Sequence, residues 1–528
     1  MTTLHDARGP ARWTVGEPPR WLPPGADALL VLLVAAGIRL FQVDALAFTH
    51  WDEEFFVRNA RALAGDFWSS LPRIGFEGAP LTAVVFGLVM KAAGIGDTVP
   101  FIVNALAGAL AAAACAWLGR RMFGRLPGLI AGLLLALSMF AVSYSRLALA
   151  EPLFLLMWLL VLSLLWRAAE DPRAWRWAAL GAGAGLLMLA KYSGVVIMVI
   201  GATWVALQAA TMFTRARKLP RGLIAGFACA ALAGAGIALA GFMTVNPGGL
   251  GRAMRVLSSS SGYRAGSGEF RFLTTPEILA HYLALWVSPI VLASAALGAC
   301  VALWKRSAGD MLVLVWTVVF AAALLVYKPF PRLALPLFPA VFLLAARGID
   351  AAVWAAQRVT RGTPAARKAV PAFAVLLVGA AVVAEAARLP RILRMETTGY
   401  ARAVRAAERA AAGAEVWWRV QPEAVVALYT NAGRELADVS DGASWRRPVR
   451  RVFVVDHSEY DWHGEVAAFL DGNRTRLKLI ESIPNPMYDE LYFQPASIEA
   501  LKAFPRRPRL VPVIAIYEST EGLEPLRR

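Results

Sequence analysis

Apolar residues in this chain come in long runs separated by short polar clusters, beginning at Ala28 and recurring until Arg388, after which polar and apolar positions mix. A helix needs roughly 20 consecutive apolar residues to cross a bilayer. Eleven runs approach that length: 28–48, 99–119, 126–144, 152–168, 174–190, 193–213, 222–244, 278–303, 310–327, 332–347 and 370–388. A further apolar stretch, 80–94, is short for a crossing, and counting it would reverse every later loop. Beyond 388 the pattern changes to that of an α/β domain. A helical stretch over 400–412 is followed by strand-like EVWWRV at 415–420, RVFVVD at 451–456 and PVIAIYES at 512–519, with helical segments between them.

Charge sets the direction of the runs. If 80–94 lies along the surface, alternate loops carry Arg120, Arg121 and Arg125; Arg167, Arg173 and Arg176; Arg215, Arg217, Lys218 and Arg221; Lys305 and Arg306; and Arg358, Arg361, Arg367 and Lys368. Cations concentrate in cytoplasmic loops, so these loops and the N-terminus are expected in the cytoplasm. The fold expected is an α-helical polytopic membrane protein of about 11 transmembrane helices with a C-terminal α/β domain. Its parts are a cytoplasmic segment 1–27, a membrane domain 28–388 with outer loops 49–98 and 245–277, and an extracytoplasmic domain 389–528.

Composition agrees with a lipid solvent. Hydrophobic residues make up 58% and charged residues 17%, with mean hydropathy +0.53, too apolar for a water-soluble chain of this length. The net charge of +17 does not point to nucleic acid, because the cations sit in clusters between apolar runs. Cys115, Cys229 and Cys300 all lie inside apolar runs, which supports neither a disulfide framework nor a cysteine metal site. The first run lacks a small-residue cleavage site and is longer than a signal segment, so it is expected to be a retained span.

The candidate chemistry gathers on the predicted outer face. HWDEEFFVRNARALAGDF at 50–67 contains Asp52, Glu53 and Glu54, followed by Arg58 and Arg61; Glu77 stands in GFEGAPL and Glu151 in SRLALAEPLF. Acids at helix starts also serve simply to complement the dipole. A carboxylate there can instead take a proton from an attacking hydroxyl. Cations face them: Arg146, Lys191, Lys328 and Arg332, each of which could alternatively snorkel to the headgroups. Acids and cations on one membrane face suit a reaction between a charged lipid headgroup and a hydroxyl-bearing acceptor. In the C-terminal domain, VVDHSEYDWH groups Asp456, His457, Glu459, Asp461 and His463, a set able to bind metal but also ordinary for a polar loop after a strand.

The order of motifs resembles the GT-C glycosyltransferases: DE after the first run, FExxPL, GRRMFGR, YSRLALAEPLF, AKYSG, a long loop with VNPGG and GYRAGSG, then KPFPRLALPLFP. The nearest groups are bacterial relatives of protein O-mannosyltransferases and of the aminoarabinose transferase that modifies lipid A, over roughly residues 28–350. The resemblance implies an inner-membrane enzyme, usually inverting, that moves sugar from a polyprenyl-phosphate donor to an extracytoplasmic glycan, lipid or protein. It assigns catalytic roles to Asp52, Glu53, Glu77 and Glu151. Substrate binding falls to Arg58, Arg61, Arg146, Lys191, Tyr192, Tyr263, Arg264, Lys328 and Arg332. Where the aminoarabinose transferases have a phosphate-binding lysine after the FE glutamate, this chain has Gly78. No histidine occurs in 245–277, and His281 is a poor substitute for the metal ligand some relatives carry there. Any metal held by Glu77 and other oxygen ligands is expected to be Mg²⁺ or Mn²⁺. A secondary transporter or lipid-linked-glycan flippase is the alternative, since such proteins also combine many spans with ionisable residues.

Overall fold

The computed structural model describes residues 25–74, 80–216, 220–245, 274–326, 331–359, 364–393, 399–419, 428–429, 434–435, 448–457, 465–485 and 513–523. Each of the eleven apolar runs contains a helix. In chain order the bundle is α1 (Ala26–Leu40), α2 (Trp51–Gly65), α3 (Phe67–Ser70), α4 (Pro80–Ala93), α5 (Thr98–Phe123), α6 (Arg125–Leu137), α7 (Met139–Ser145), α8 (Glu151–Glu170), α9 (Ala174–Ala190), α10 (Val195–Ala216) and α11 (Arg221–Val245). It continues with α12 (Thr274–Trp286), α13 (Pro289–Lys305), α14 (Ala308–Val326), α15 (Leu337–Val359), α16 (Pro364–Ala386) and α17 (Leu389–Leu393). Among the described residues seven helices are long and apolar enough to cross a membrane, and the bent pair α6 and α7 makes an eighth. Leu232, Val375 and Leu376 are largely exposed on these helices, as lipid-facing side chains must be.

Three runs depart from the simple spans expected. Run 278–303 is two helices, because Pro289 forces Ser288 out of the helical region (ψ 148) and starts a new helix. Run 126–144 breaks at Ser138 with a bend of 58°; the Ser138 hydroxyl accepts from the Ala141 N–H and so caps α7. Run 332–347 begins as a 3₁₀ turn, Pro331–Ala334, and its helix runs on to Val359. The extension hides Asp350, which lies beyond the run, along with Arg347 at its last position; Arg347 donates to Asp310 Oδ1 at 3.1 Å and to Asp350 Oδ2 at 3.4 Å.

Cations at one end of the bundle are used as ties between helices. Asp27 in the first turn of α1 accepts from Arg120 and Arg125 (3.0 and 2.7 Å), and Arg121 bonds Glu170 at 2.5 Å. The opposite end carries α2 and α4, which pack together. Gly87 makes that approach possible, since a Cβ there would stand 2.7 Å from the Leu63 Cβ.

The C-terminal domain is a five-stranded sheet of order β2-β1-β3-β5-β4, made of β1 (Glu415–Arg419), β2 (Arg434–Glu435), β3 (Arg451–Asp456), β4 (Lys478–Pro484) and β5 (Val513–Ser519). β1 pairs parallel with β2 and β3; β5 pairs antiparallel with β3 and β4. Strand alternation separates the two faces. Val416, Trp418, Val452 and Val454 join the core with α18 (Tyr400–Ala411), while Trp417, Phe453 and Val455 pack with Phe469 of α19 (Glu465–Gly472).

Candidate functional site

The end of the bundle bearing α2 brings together four charged side chains from four segments. Asp52 comes from the first turn of α2, Glu151 from the start of α8, Lys191 from the residue after α9, and Arg332 from the 3₁₀ turn before α15. Arg332 donates through Nη1 to Asp52 Oδ2, and its Nε lies 3.9 Å from Glu151 Oε1. Lys191 Nζ donates to the same Glu151 oxygen at 2.5 Å. Two acids and two cations thus alternate in one chain of contacts. Its members differ in access: the Asp52 side chain is 44% exposed and the Glu151 side chain 4%. Asp52 is the carboxylate an incoming group can meet.

The local structure explains why these groups are held so firmly. His50 caps α2, its Nδ1 accepting from the Asp52 N–H at 3.2 Å. Burial, with the Arg332 charge, pushes His50 down to about 4, so the ring is neutral and its proton sits on Nε2. Glu53 is fully buried and accepts from three backbone N–H groups: Thr49 at 2.5 Å, His50 at 2.7 Å and Ala148 at 2.6 Å. Burial pushes its carboxyl up to about 7 against the pull of those donors. Burial also works to raise Asp52, but the charge and the hydrogen bond of Arg332 outweigh it and hold that carboxyl below its ordinary value.

The irregular turn that delivers Glu151 is secured just as closely. Asn104 donates to the carbonyls of Leu147 and Leu149 at 2.6 and 2.7 Å. Arg146 donates to Arg39 O and Phe41 O at the end of α1, at 3.0 and 2.5 Å. Arg39 answers by donating to Leu135 O and Ala136 O, the carbonyls freed where α6 stops, and to the Ser145 hydroxyl. Cations at helix C-termini satisfy orphan carbonyls and complement the dipole. Two arginines therefore fix the broken helix and the loop from which Glu151 emerges.

Several residues singled out in the sequence are engaged elsewhere. Arg146 and Glu53 bind backbone, as described. Arg58 pairs with Glu54 at 2.8 Å and is 68% exposed. Arg61 reaches Asp97 and the Leu428 carbonyl. Tyr192 follows Lys191 and rests its ring 5.4 Å from that of Phe242. Glu77, Tyr263, Arg264 and Lys328 lie outside the described residues, as do Glu459, Asp461 and His463. Asp456 is buried and accepts from the Tyr400 hydroxyl at 2.6 Å and from Asn485 at 3.1 Å. Among the described residues no group of three or more acidic, histidine or cysteine side chains is arranged to hold a metal. His50 and Tyr429 were not singled out in the sequence. His50 could have been, since it stands at a helix start beside the acids, whereas Tyr429 carries no local signal.

Residues 77–246 match the family described as dolichyl-phosphate-mannose-protein mannosyltransferase. No protein of curated function matches the chain by sequence. Its fold is similar to that of ArnT from Cupriavidus metallidurans bound to undecaprenyl phosphate, with TM-score 0.60, 13% identity, and 93% of this chain and 97% of that chain covered. It is also similar to the Archaeoglobus fulgidus oligosaccharyltransferase tethered with an acceptor peptide, with TM-score 0.53, 13% identity, and coverage of 82% and 69%. The apo form of that enzyme gives TM-score 0.55 at 11% identity, with coverage of 94% and 88%. The expected fold, a polytopic helical bundle with a C-terminal α/β domain, is the fold found.

Proposed function

We propose that this chain, a GT-C relative of the O-mannosyltransferases and of ArnT, transfers a sugar from a polyprenyl-phosphate donor to an extracytoplasmic acceptor. The observation that carries this reading is the alternating cluster of Asp52, Arg332, Glu151 and Lys191 at one end of a GT-C bundle. The undecaprenyl phosphate of the ArnT structure supports the class of donor. Sugar, acceptor and sidedness belong to the proposal.

The chemistry follows from the pairing. The acceptor oxygen attacks the anomeric carbon, and the bond from that carbon to the phosphate oxygen breaks. The bonding pair leaves with the polyprenyl phosphate, and Asp52 takes the acceptor proton. Developing negative charge on the leaving phosphate calls for cations placed where it appears, and Arg332 and Lys191 supply them. When Arg332 turns from Asp52 to the phosphate, Asp52 loses the charge that holds its carboxyl low and becomes a stronger base. Donor binding thereby arms the base. Glu151, already bonded to Lys191 and beside Arg332, keeps both cations in place. The displacement is an inverting one. If a divalent ion takes part, Mg²⁺ or Mn²⁺ on oxygen ligands, with Glu77 the candidate from the sequence, fits this chain better than zinc.

Transport is the weaker reading. Alternating access would have to part the end opposite the site, where Asp27, Arg120 and Arg125 tie α1, α5 and α6, Arg121 and Glu170 tie α5 to α8, and Asp310 and Arg347 tie α14 to α15.

The test is a pair of variants. Asp52→Asn should keep thermal stability while turnover falls by about 10² or more, the scale of general-base loss. Arg332→Ala should lower kcat/KM for the lipid donor, through kcat as well as KM, because the charge it meets develops in the transition state. Normal turnover in Asp52→Asn would remove Asp52 from the role.

A further inference from the structure

The segment entering α2 is buried at Phe48, Thr49 and His50, and its backbone N–H groups need acceptors. Glu53 takes those of Thr49 and His50, and His50 takes that of Asp52. The Phe48 N–H goes outside the membrane domain altogether. It donates to the Tyr429 hydroxyl at 3.0 Å, across 381 positions of sequence. The two rings lie 5.8 Å apart, and Phe48 in turn stacks on Phe101 of α5 at 5.1 Å. One residue away, the Leu428 carbonyl accepts from Arg61 Nη1 at 2.9 Å, while Arg61 Nη2 holds Asp97 at 2.7 Å. Two adjacent residues of the C-terminal domain, lying between β1 and β2, thus grip Phe48 before Asp52 and Arg61 after it.

We propose that Tyr429, with the Leu428 carbonyl beside it, is a positioning element for Asp52, so that the C-terminal domain contributes to the active site. The proposal rests on the role given to Asp52 above. Its physical basis is that Asp52 projects from a first helical turn whose approach is held by side-chain acceptors, Glu53 and His50 at the start of α2 and Tyr429 from the C-terminal domain. Removing the Tyr429 oxygen leaves a buried N–H without that partner and lets the 46–50 backbone shift. A displacement of this kind at a proton-accepting group reduces the chemical step more than ground-state binding.

The experiment uses the full chain in lipid nanodiscs and compares wild type with Tyr429→Phe, which keeps the ring and removes the hydroxyl. Three quantities are read: amide exchange over residues 46–53, melting temperature, and kcat and KM with a polyprenyl-phosphate sugar. The expected result is exchange over 46–53 faster by about tenfold, a local opening, with Tm nearly unchanged. Turnover falls by about tenfold with KM within about twofold, the signature of lost transition-state geometry. Arg61→Gln, which loses the Leu428 contact, should show the same pattern and serves if Tyr429→Phe fails to fold. Unchanged exchange over 46–53 would overturn the proposal, as would faster exchange with normal kcat. A raised KM at normal kcat would make Tyr429 a donor-binding residue instead. A wild-type protein inert towards polyprenyl-phosphate sugars would remove the assigned reaction, while the exchange arm would still decide whether Tyr429 orders the loop.

Discussion

Glu53 and Asp52 are neighbours with opposite fates. Asp52 points into the cluster and is held ionised by Arg332, whereas Glu53 is buried among backbone donors. In Glu53→Gln one terminal atom changes from acceptor to donor, so at least one of three buried N–H groups loses its partner, at about 1–3 kcal/mol. Its titration gives a second readout. A folded pKa raised from 4.5 to about 7 means stability that is complete below the lower value and lost as pH rises through the higher one. Asp52, whose folded value is lowered, has the opposite sign and loses its contribution only as pH falls below the ordinary carboxylate range. Between pH 5 and pH 8 the wild-type Tm should therefore fall more than that of Glu53→Gln; parallel slopes in a thermal-shift series would contradict this.

The candidate site was half legible at this scale. Asp52, Glu151, Lys191 and Arg332 were found because acids and cations at the ends of apolar runs share a face once the runs are threaded. Glu53 and Arg146 are of equally suitable type, yet their partners are backbone groups, which no residue letter reveals, and Arg61 divides between the Leu428 carbonyl and Asp97. Tyr429 was missed for the same reason: its partner is the Phe48 N–H.

At the scale of elements, apolar run length located the helices, and what it hid were breaks and buried charge. Pro289 behind Ser288 was a readable signal for the division of run 278–303, but Ser138 breaks its helix without proline or glycine. The extension of α15 depends on Arg347 finding Asp310 and Asp350. Close crossing of α13 and α15 rests on Gly298 and Gly348. A Cβ on Gly348 would stand 2.0 Å from Ser294 O, and one on Gly298 1.8 Å from Leu344 O. Backbone cannot yield as a flexible side chain does, so Gly348→Ala should cost about 1–3 kcal/mol, the range for overpacking. Gly236→Ala, where nothing lies within 4 Å, is the control and should be neutral or slightly stabilising. Equal melting temperatures for the two variants would refute the close-packing account.

Over the whole molecule, the two ends differ in kind. The end opposite the site carries cations laid over tryptophans: Arg121 and Arg167 on Trp117, Lys305 on Trp304, and Arg358 on Trp354. Aromatic belts line both membrane interfaces, but clustered cations favour the cytoplasmic one, and the proposed orientation puts this end there. In a background without Cys115, Cys229 and Cys300, Ser69→Cys and Arg474→Cys should therefore label from outside the cell and Arg173→Cys should not. Labelling of Arg173→Cys with protection of the other two would invert the molecule.

That orientation bears on the donor. A nucleotide sugar made in the cytoplasm does not reach an outer-face site, while a lipid-linked sugar can enter sideways from the bilayer. The most direct measurement is release of polyprenyl phosphate by the purified protein in nanodiscs, across a panel of polyprenyl-phosphate sugars and the matching nucleotide sugars. Release is expected from at least one lipid-linked donor, lower by about 10² in Asp52→Asn, with no consumption of any nucleotide sugar. Efficient transfer from a nucleotide sugar with no lipid donor present would contradict this.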